Sequence, residues 1–215
     1  MKTLFLYIVK RDDAPILAGL SAVEWLIRGT QGTPYRLIED IAEATLPDSE
    51  WFAVLTPSTP LVTASYLRDL MREMDRRGVF GVEIGDGFLA CASAYQAGFR
   101  PKRSANSTEA MTATSASEKA KAELVLYRRI AEVCAQNGAI IPDVDNVRID
   151  ALSTVEAGAT VEPFAIIRES FVGSGARIGS FSEISRSRIG REATVVHSVV
   201  RDSEIGEKTT VGPFA

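Results

Sequence analysis

The chain has 215 residues, long for one domain and short for two large ones. Its 46% hydrophobic and 24% charged residues are those of a soluble globular protein, and a net charge of −4 with no long basic run argues against a nucleic-acid partner. No apolar run approaches membrane-spanning length, which leaves no membrane role in view. Cys91 and Cys134 lack metal-type spacing and read as small buried hydrophobes in a reducing cytoplasm.

Met1-Lys2 followed by the apolar run Thr3 to Val9 superficially resembles a signal peptide. The run is short, Lys10-Arg11-Asp12-Asp13 stops it, and no small-residue cleavage site follows. It reads as a strand buried on both faces of a parallel sheet. A helix is predicted from Pro15, with Leu17, Leu20, Val23, Leu26 and Ile27 as its stripe, ending near Gly29. A second helix is predicted from Tyr35 to about Thr45, then a buried strand Trp51–Leu55 closed by Pro57. Val62 to Arg77 is amphipathic, with Leu67, Leu70 and Met71 inward and Arg68, Arg72 and Arg76 outward. Short strands at Val79–Ile84 and Phe88–Ala90 are split by Gly85-Asp86-Gly87. Strand–helix alternation over residues 1–98 predicts a small α/β domain.

From Phe99 to Glu118, seven of twenty residues are Ser or Thr, and residues 99–116 read as a flexible surface loop. Ser115 with Glu118 forms a capping-box pattern that opens a connecting helix, residues 117–138. Its predicted inward face is Ala120, Leu124, Tyr127, Ala131 and Cys134, and Gly138 ends it.

Residues 139–215 follow a different rule. Aliphatic residues stand at 149, 155, 161, 167, 172, 178, 184, 189, 195, 200, 205 and 211, in steps of five or six. Glycine follows at Val172, Ile178, Ile189, Ile205 and Val211. Neither a helix nor an alternating strand repeats this way, whereas a hexapeptide β-helix does. Three hexads make one triangular coil, the aliphatic residue points inward, and glycine is expected to ease the corner. Twelve inward positions predict about four coils, roughly 19 Å tall at the spacing of neighbouring strands.

Several segments resemble a known family. Arg128-Arg129-Ile130-Ala131-Glu132, Asn137 to Asp143, Ile149-Asp150-Ala151 and Thr210 to Ala215 look like the bacterial bifunctional N-acetylglucosamine-1-phosphate uridyltransferase/glucosamine-1-phosphate acetyltransferase. The resemblance is close over residues 119–215 and thin over residues 1–98. It implies a reduced Rossmann-like nucleotidyltransferase fold joined by a helix to a left-handed parallel β-helix. It also implies a homotrimer with β-helix faces packed around a three-fold axis.

Position by position, the family's functional motifs fit only in part. Its glycine-rich phosphate loop, G-x-G-T-x-M, reads Lys10-Arg11-Asp12-Asp13-Ala14 here, with Pro15 kept and Ile16 where the family has lysine. Such a loop works through backbone N–H groups and a cation, and Asp12 and Asp13 would repel a triphosphate. The uracil-reading stretch is echoed at Gly32 and Thr33, and the sugar-contacting stretch at Glu83 and Gly85. The family's Mg²⁺ aspartate is replaced by Ser58, a poor ligand for a hard dication, and its second ligand, an asparagine, corresponds to Asn106. The acetyl-transfer histidine lies in later coils than those present here, and His197 reads as a face or corner residue.

Three functional readings follow. The first is a relative that has lost catalysis and keeps a structural, regulatory or sugar-nucleotide-binding role without a cofactor. The second is an active nucleotidyltransferase that uses Mg²⁺ to make UDP-N-acetylglucosamine from UTP and N-acetylglucosamine 1-phosphate. The third is a hexapeptide acyltransferase.

Overall fold

The computed structural model describes residues 2–215. Met1, the first residue of the predicted 1–98 domain, lies outside the described residues. The chain divides into two units, one of residues 2–17 with Ser21–Ala122, the other of Ala18–Leu20 with Glu123–Ala215.

Up to residue 96 the elements are β1 (Leu4–Val9), β2 (Ile16–Leu17), β3 (Leu20–Ser21), α1 (Ala22–Gly29), β4 (Tyr35–Ile38), β5 (Trp51–Leu55), α2 (Ala64–Arg77), β6 (Gly81–Ile84), β7 (Gly87–Cys91) and α3 (Ala92–Gln96). Five strands form one mixed sheet in the order β4-β1-β5-β7-β6. β4, β1 and β5 run parallel, and β7 runs antiparallel to both its neighbours. β1 is covered on both faces, which accounts for its nearly unbroken apolar sequence. Leu6 and Ile8 pack with Val23, Leu26, Leu67 and Met71, while Tyr7 and Val9 pack with Phe52 and Val54.

Both predicted helices before residue 46 change. Tyr35–Ile38 is an edge strand, because pairing with β1 from Leu6↔Tyr35 to Val9↔Ile38 supplies its backbone partners. Only the 3₁₀ turn Ile41–Glu43 follows it. The helix predicted from Pro15 begins instead at Ala22. Ala18 and Gly19, at φ 45° and 92°, turn β2 back onto β3, and Ser21 then caps α1 reciprocally with Glu24. α2 lies within its predicted stretch, starting two residues later at Ala64 with Thr63 as N-cap and ending at Arg77 with Gly78 in the left-handed conformation.

The Ser/Thr-rich stretch expected to be flexible is tied down by backbone bonds. Glu83 N–H donates to Arg103 O and Ala105 N–H to Glu83 O, each at 2.8 Å, and Ala113 N–H donates to Ser58 O at 2.7 Å. Ala110 and Ala113 are buried. Ser115 and Glu118 form the predicted capping box for α4 (Ala116–Gln136). The Glu118 carboxylate also accepts from Thr112 and Thr114. The Ser115 N–H, then these hydroxyls, hold it well below the usual carboxylate range. The buried positions of α4 are Ala122, Leu126 and Ala131, whereas Ala120 is exposed and Leu124 is 51% exposed. The predicted stripe holds in the second half of the helix, where Ala131 is buried and Cys134 packs against the core, and fails in the first half, where Ala122, Leu126 and Ile130 form a competing i, i+4 series.

The second unit is a left-handed parallel β-helix of three four-stranded sheets. The twelve predicted inward positions fall into three columns. Ile149, Ile167, Ile184 and Val200 stack in one, Val155, Val172, Ile189 and Ile205 in another, and Val161, Ile178, Val195 and Val211 in the third. All are buried except Ile205 and Val211, which are partly buried in the last coil.

Of the five glycines, Gly212 at φ 97° turns the chain as expected, whereas the other four have a different task. Gly173, Gly179, Gly190 and Gly206 do not adopt a positive φ. A Cβ on Gly190 would stand 2.7 Å from Glu207 N, and one on Gly173 3.0 Å from Arg191 N, so they admit the backbone of the next coil. The chain turns elsewhere, at left-handed residues including Phe164, Glu169, Phe181, Arg186, Glu192, His197, Asp202, Lys208 and Phe214. Each costs roughly 1–2 kcal/mol as a non-glycine. Bonds between coils offset this: Arg186 N–H donates to Arg168 O, Asp202 N–H to Ser185 O, and Phe214 N–H to His197 O.

Ile178→Asp, which puts an unpaired charge in this narrow core, should destabilise the protein by about 3 kcal/mol or more, while Arg191→Asp on the surface should cost under about 0.5 kcal/mol. Equal denaturation midpoints for the two variants would contradict the register. Gly190→Ala should cost about 1–3 kcal/mol through overpacking. Gly206→Ala, whose Cβ would meet only Thr209 Oγ1 at 3.6 Å, should be tolerated in the same denaturation experiment.

Candidate functional site

In an open α/β sheet, ligands bind beyond the carboxyl ends of the parallel strands. Here that edge is made by the loops after β1, β4 and β5 and by the β6–β7 turn, since β6 runs parallel to β5. After β1, Lys10, Arg11, Asp12 and Asp13 are all exposed, and Ile16, where the family has lysine, is 73% exposed. After β5, buried Thr56 and Thr59 close a turn through Thr59 N–H to Thr56 O at 3.2 Å.

Ser58 stands at the tip of that turn, and its hydroxyl is already engaged. It lies 2.7 Å from Thr56 Oγ1 and donates to Asp86 Oδ1 at 2.5 Å. Gly85, at φ 58°, allows this approach: a Cβ there would stand 2.6 Å from Thr59 Cγ2 and 2.9 Å from Ser58 Oγ. The fold therefore brings together Ser58, Gly85 and Asp86. The sequence reading singled out the first two but not the carboxylate of Asp86, whose signal was its place in a Gly-Asp-Gly turn.

Glu83 and Gly85 line a cavity of about 300 Å³ with Asp86, Phe88, Tyr95 and Arg100. Its wall is aromatic, with Phe88 and Tyr95 stacked at 5.3 Å and the Arg100 guanidinium 3.9 Å from the Tyr95 ring centroid. The Glu83 carboxylate accepts from Ser104 Oγ at 3.3 Å. Asn106 is exposed and does not line this cavity.

Gly32 and Thr33 lie elsewhere. They form the turn into β4, so they stand at the amino edge of the sheet and not at the edge that holds Ser58 and Gly85. β5 alone, five residues long, separates the two edges by roughly 16 Å. The residues proposed for the nucleotide and for the sugar are not brought into one site.

Ser58 by itself does not fit Mg²⁺, and the carboxylate in contact with it is that of Asp86. Ser58 offers a neutral hydroxyl committed to Asp86, and a hard dication favours several oxygen ligands with carboxylate charge. Among the described residues, no group of three or more His, Cys, Asp or Glu could hold a metal ion.

Other singled-out residues have structural surroundings. Cys91 and Cys134 are half-buried free thiols. Burial pushes Cys134 up; it acts the same way on Cys91, but the Ser93 hydroxyl, the Ala94 and Ser93 N–H groups and Lys2 bring that thiol below its ordinary value. His197 is a corner residue, with its ring 5.3 Å from Phe181 and 5.2 Å from Phe214 in a column begun by Phe164. No helix of the described residues is long and apolar enough to cross a membrane.

The architecture defines a hexapeptide-repeat protein, a left-handed β-helix in a chain that also carries a small mixed α/β unit. Comparison with known proteins makes the relationship particular. The chain is 37% identical over 92 residues to the bifunctional protein GlmU of Cyanothece, covering 42% of this chain and 20% of that one. It is 38% identical over 97 residues to bifunctional protein GlmU of Heliobacterium modesticaldum, covering 45% and 21%. It is 34% identical over 110 residues to that of Caldanaerobacter subterraneus, covering 51% and 24%. No family model matches. The chain is a relative of the bifunctional GlmU proteins, and the match spans about a fifth of their length.

Restoring the family's aspartate should fail for a local reason. Ser58→Asp places a second carboxylate against Asp86, and like charges this close raise one pKa and oppose ionisation of both. The variant should unfold at lower denaturant than the parent at pH 7 and recover when Asp86→Asn is added. Calorimetric Mg²⁺ binding by Ser58→Asp alone would contradict this account.

Proposed function

We propose that this chain is a relative of the GlmU proteins that does not transfer uridylyl groups. It serves a structural, regulatory or sugar-nucleotide-binding role in the cytoplasm and self-associates as a trimer through the flat faces of its β-helix. The observation that supports this is Ser58. At the strand end where the resemblance requires a metal-binding carboxylate, a hydroxyl is closed into a network with Thr56 and Asp86. The loop after β1 adds exposed Asp12 and Asp13 where phosphate charge would have to be offset. Transfer needs positive charge or N–H donors preorganised around the phosphates, and removal of one such donor typically costs about 10²–10³ in rate.

One observation favours the second reading, an active Mg²⁺-dependent nucleotidyltransferase. The Asp86 carboxylate reaches the same strand end from the β6–β7 turn and could stand in for the missing aspartate. Acyl transfer finds no such support, since His197 packs between two phenylalanines at a corner.

Titration calorimetry with UTP and with UDP-N-acetylglucosamine, each with and without Mg²⁺, separates these readings. The expected result is no Mg²⁺-dependent UTP binding and no pyrophosphate release with N-acetylglucosamine 1-phosphate. Micromolar Mg²⁺-dependent UTP binding that Asp86→Asn abolishes would establish the second reading. Light scattering should give three times the chain mass, and a monomer at micromolar concentration would overturn the trimer.

A further inference from the structure

At the amino edge of the sheet, a cavity of about 490 Å³ opens among the start of β1, the turn into β4 and one face of α2. This is within the usual range for a small-ligand site. Leu4, Pro34 and Met71 make its apolar surface. Gly32, at φ 77° with nothing within 4 Å of a Cβ position, leaves the rim open.

The charges around this cavity do not balance. Lys2 pairs with Asp75, and Arg72 Nη1 with Asp69 Oδ1 at 3.0 Å. Arg68 lines the same wall, half-buried, although its sequence position predicted an outward side chain. Its Nη2 donates to Thr33 Oγ1 at 3.3 Å, and Thr33 is itself 7% exposed. Among the described residues, no carboxylate pairs with Arg68. A guanidinium carries five donors in a planar fork matched to an oxyanion, and here most of them are unspent. Withdrawing such a cation from water is unfavourable unless a counter-charge arrives. In a chain of net charge −4, this is a local positive site over an apolar floor.

We propose that this cavity binds a small molecule with one oxyanion, a phosphate monoester or a carboxylate, carried on a flat apolar body. Arg68 takes the oxyanion, with the Thr33 hydroxyl beside it, and the body lies against Met71 and Leu4. One uncompensated cation specifies a ligand with one anionic head and not a triphosphate. The site lies at the opposite edge from Ser58, so it stands or falls independently of the reading of that edge.

The test is amide NMR of the full chain titrated with phenyl phosphate, with benzoate and with inorganic phosphate. At least one aryl anion should shift Thr33, Arg68 and Met71 saturably at millimolar concentration, and comparing the two identifies the head group. Inorganic phosphate, lacking the apolar body, should bind roughly tenfold more weakly. Arg68→Gln should weaken aryl-anion binding by roughly tenfold or more, and Arg68→Lys should recover only part of it. Arg76→Gln, outside the cavity, should bind as the parent does. If Arg68→Gln loses the dispersed spectrum of a folded protein, the shift map of the parent decides alone. No saturable shift at these residues, shifts centred on Ser58 and Asp86, or full binding by folded Arg68→Gln would each overturn the proposal.

Discussion

Stacking one coil on the next at the separation of hydrogen-bonded strands is the constraint on which the second unit depends. Each column of inward aliphatics must advance by one coil and still meet its neighbour, and the columns do so in steps of 16, 17 or 18 residues. That requirement places small residues where backbones touch, as at Gly173 and Gly190. It also forces left-handed conformations on residues with large side chains. The side chains at those corners have nowhere to go but outward, so Phe164, Phe181, His197 and Phe214 end as a column of rings on the surface. Their exposure follows from the turn, and the histidine among them needs no chemical role to explain its place.

The coils vary in length, and serine absorbs the variation. The four five-residue steps end at Val172, Ile189, Val200 and Ile205, and two residues before each stands Ser170, Ser187, Ser198 or Ser203. Each hydroxyl donates to the carbonyl two residues back. At one corner these serines form a ladder, with Ser187 N–H donating to Ser170 Oγ and Ser203 N–H to Ser187 Oγ, at 3.0 and 3.1 Å. A shortened side of the triangle leaves backbone groups that the sheets do not pair, and a buried group left unpaired would cost about 1–3 kcal/mol. The serine pattern was legible in the sequence. It is seen only once the spacing is sorted into fives and sixes, because serine alone is an ordinary loop residue.

Elsewhere legibility followed how local the cause was. Trp51–Leu55 and α2 carry their own signals: an unbroken apolar run for the first, an amphipathic stripe ending at Gly78 for the second. Tyr35–Ile38 carries none. Three of its four residues are exposed, and only the neighbouring β1 makes it a strand. The face of α4 was ambiguous for a related reason: alanine and leucine recur often enough to draw two stripes, and the surroundings choose between them. For the candidate site, the residue types at Ser58 and Gly85 could be read against a family pattern. That Gly32 and Thr33 face the other edge depends on strand direction, which no local motif encodes.

Seen in three dimensions, the departures at the carboxyl edge are one coupled change. Family likeness alone makes the serine at 58 and the glycine at 85 look like two independent losses. In the fold they are in contact, and each accommodates the other: without a side chain at 85 the turn closes onto Ser58 and Thr59, and that closure brings Asp86 to the Ser58 hydroxyl. A carboxylate at 58 would meet Asp86, and an asparagine at 85 would meet Thr59, so reversing either position alone meets a physical penalty set by the other. Effects of groups that act as a unit are not additive. The edge therefore has an internal consistency of its own, with a hydroxyl at the end of β5 and a carboxylate in the turn between β6 and β7. Any ligand that binds there meets a carboxylate that already accepts from the Ser58 hydroxyl.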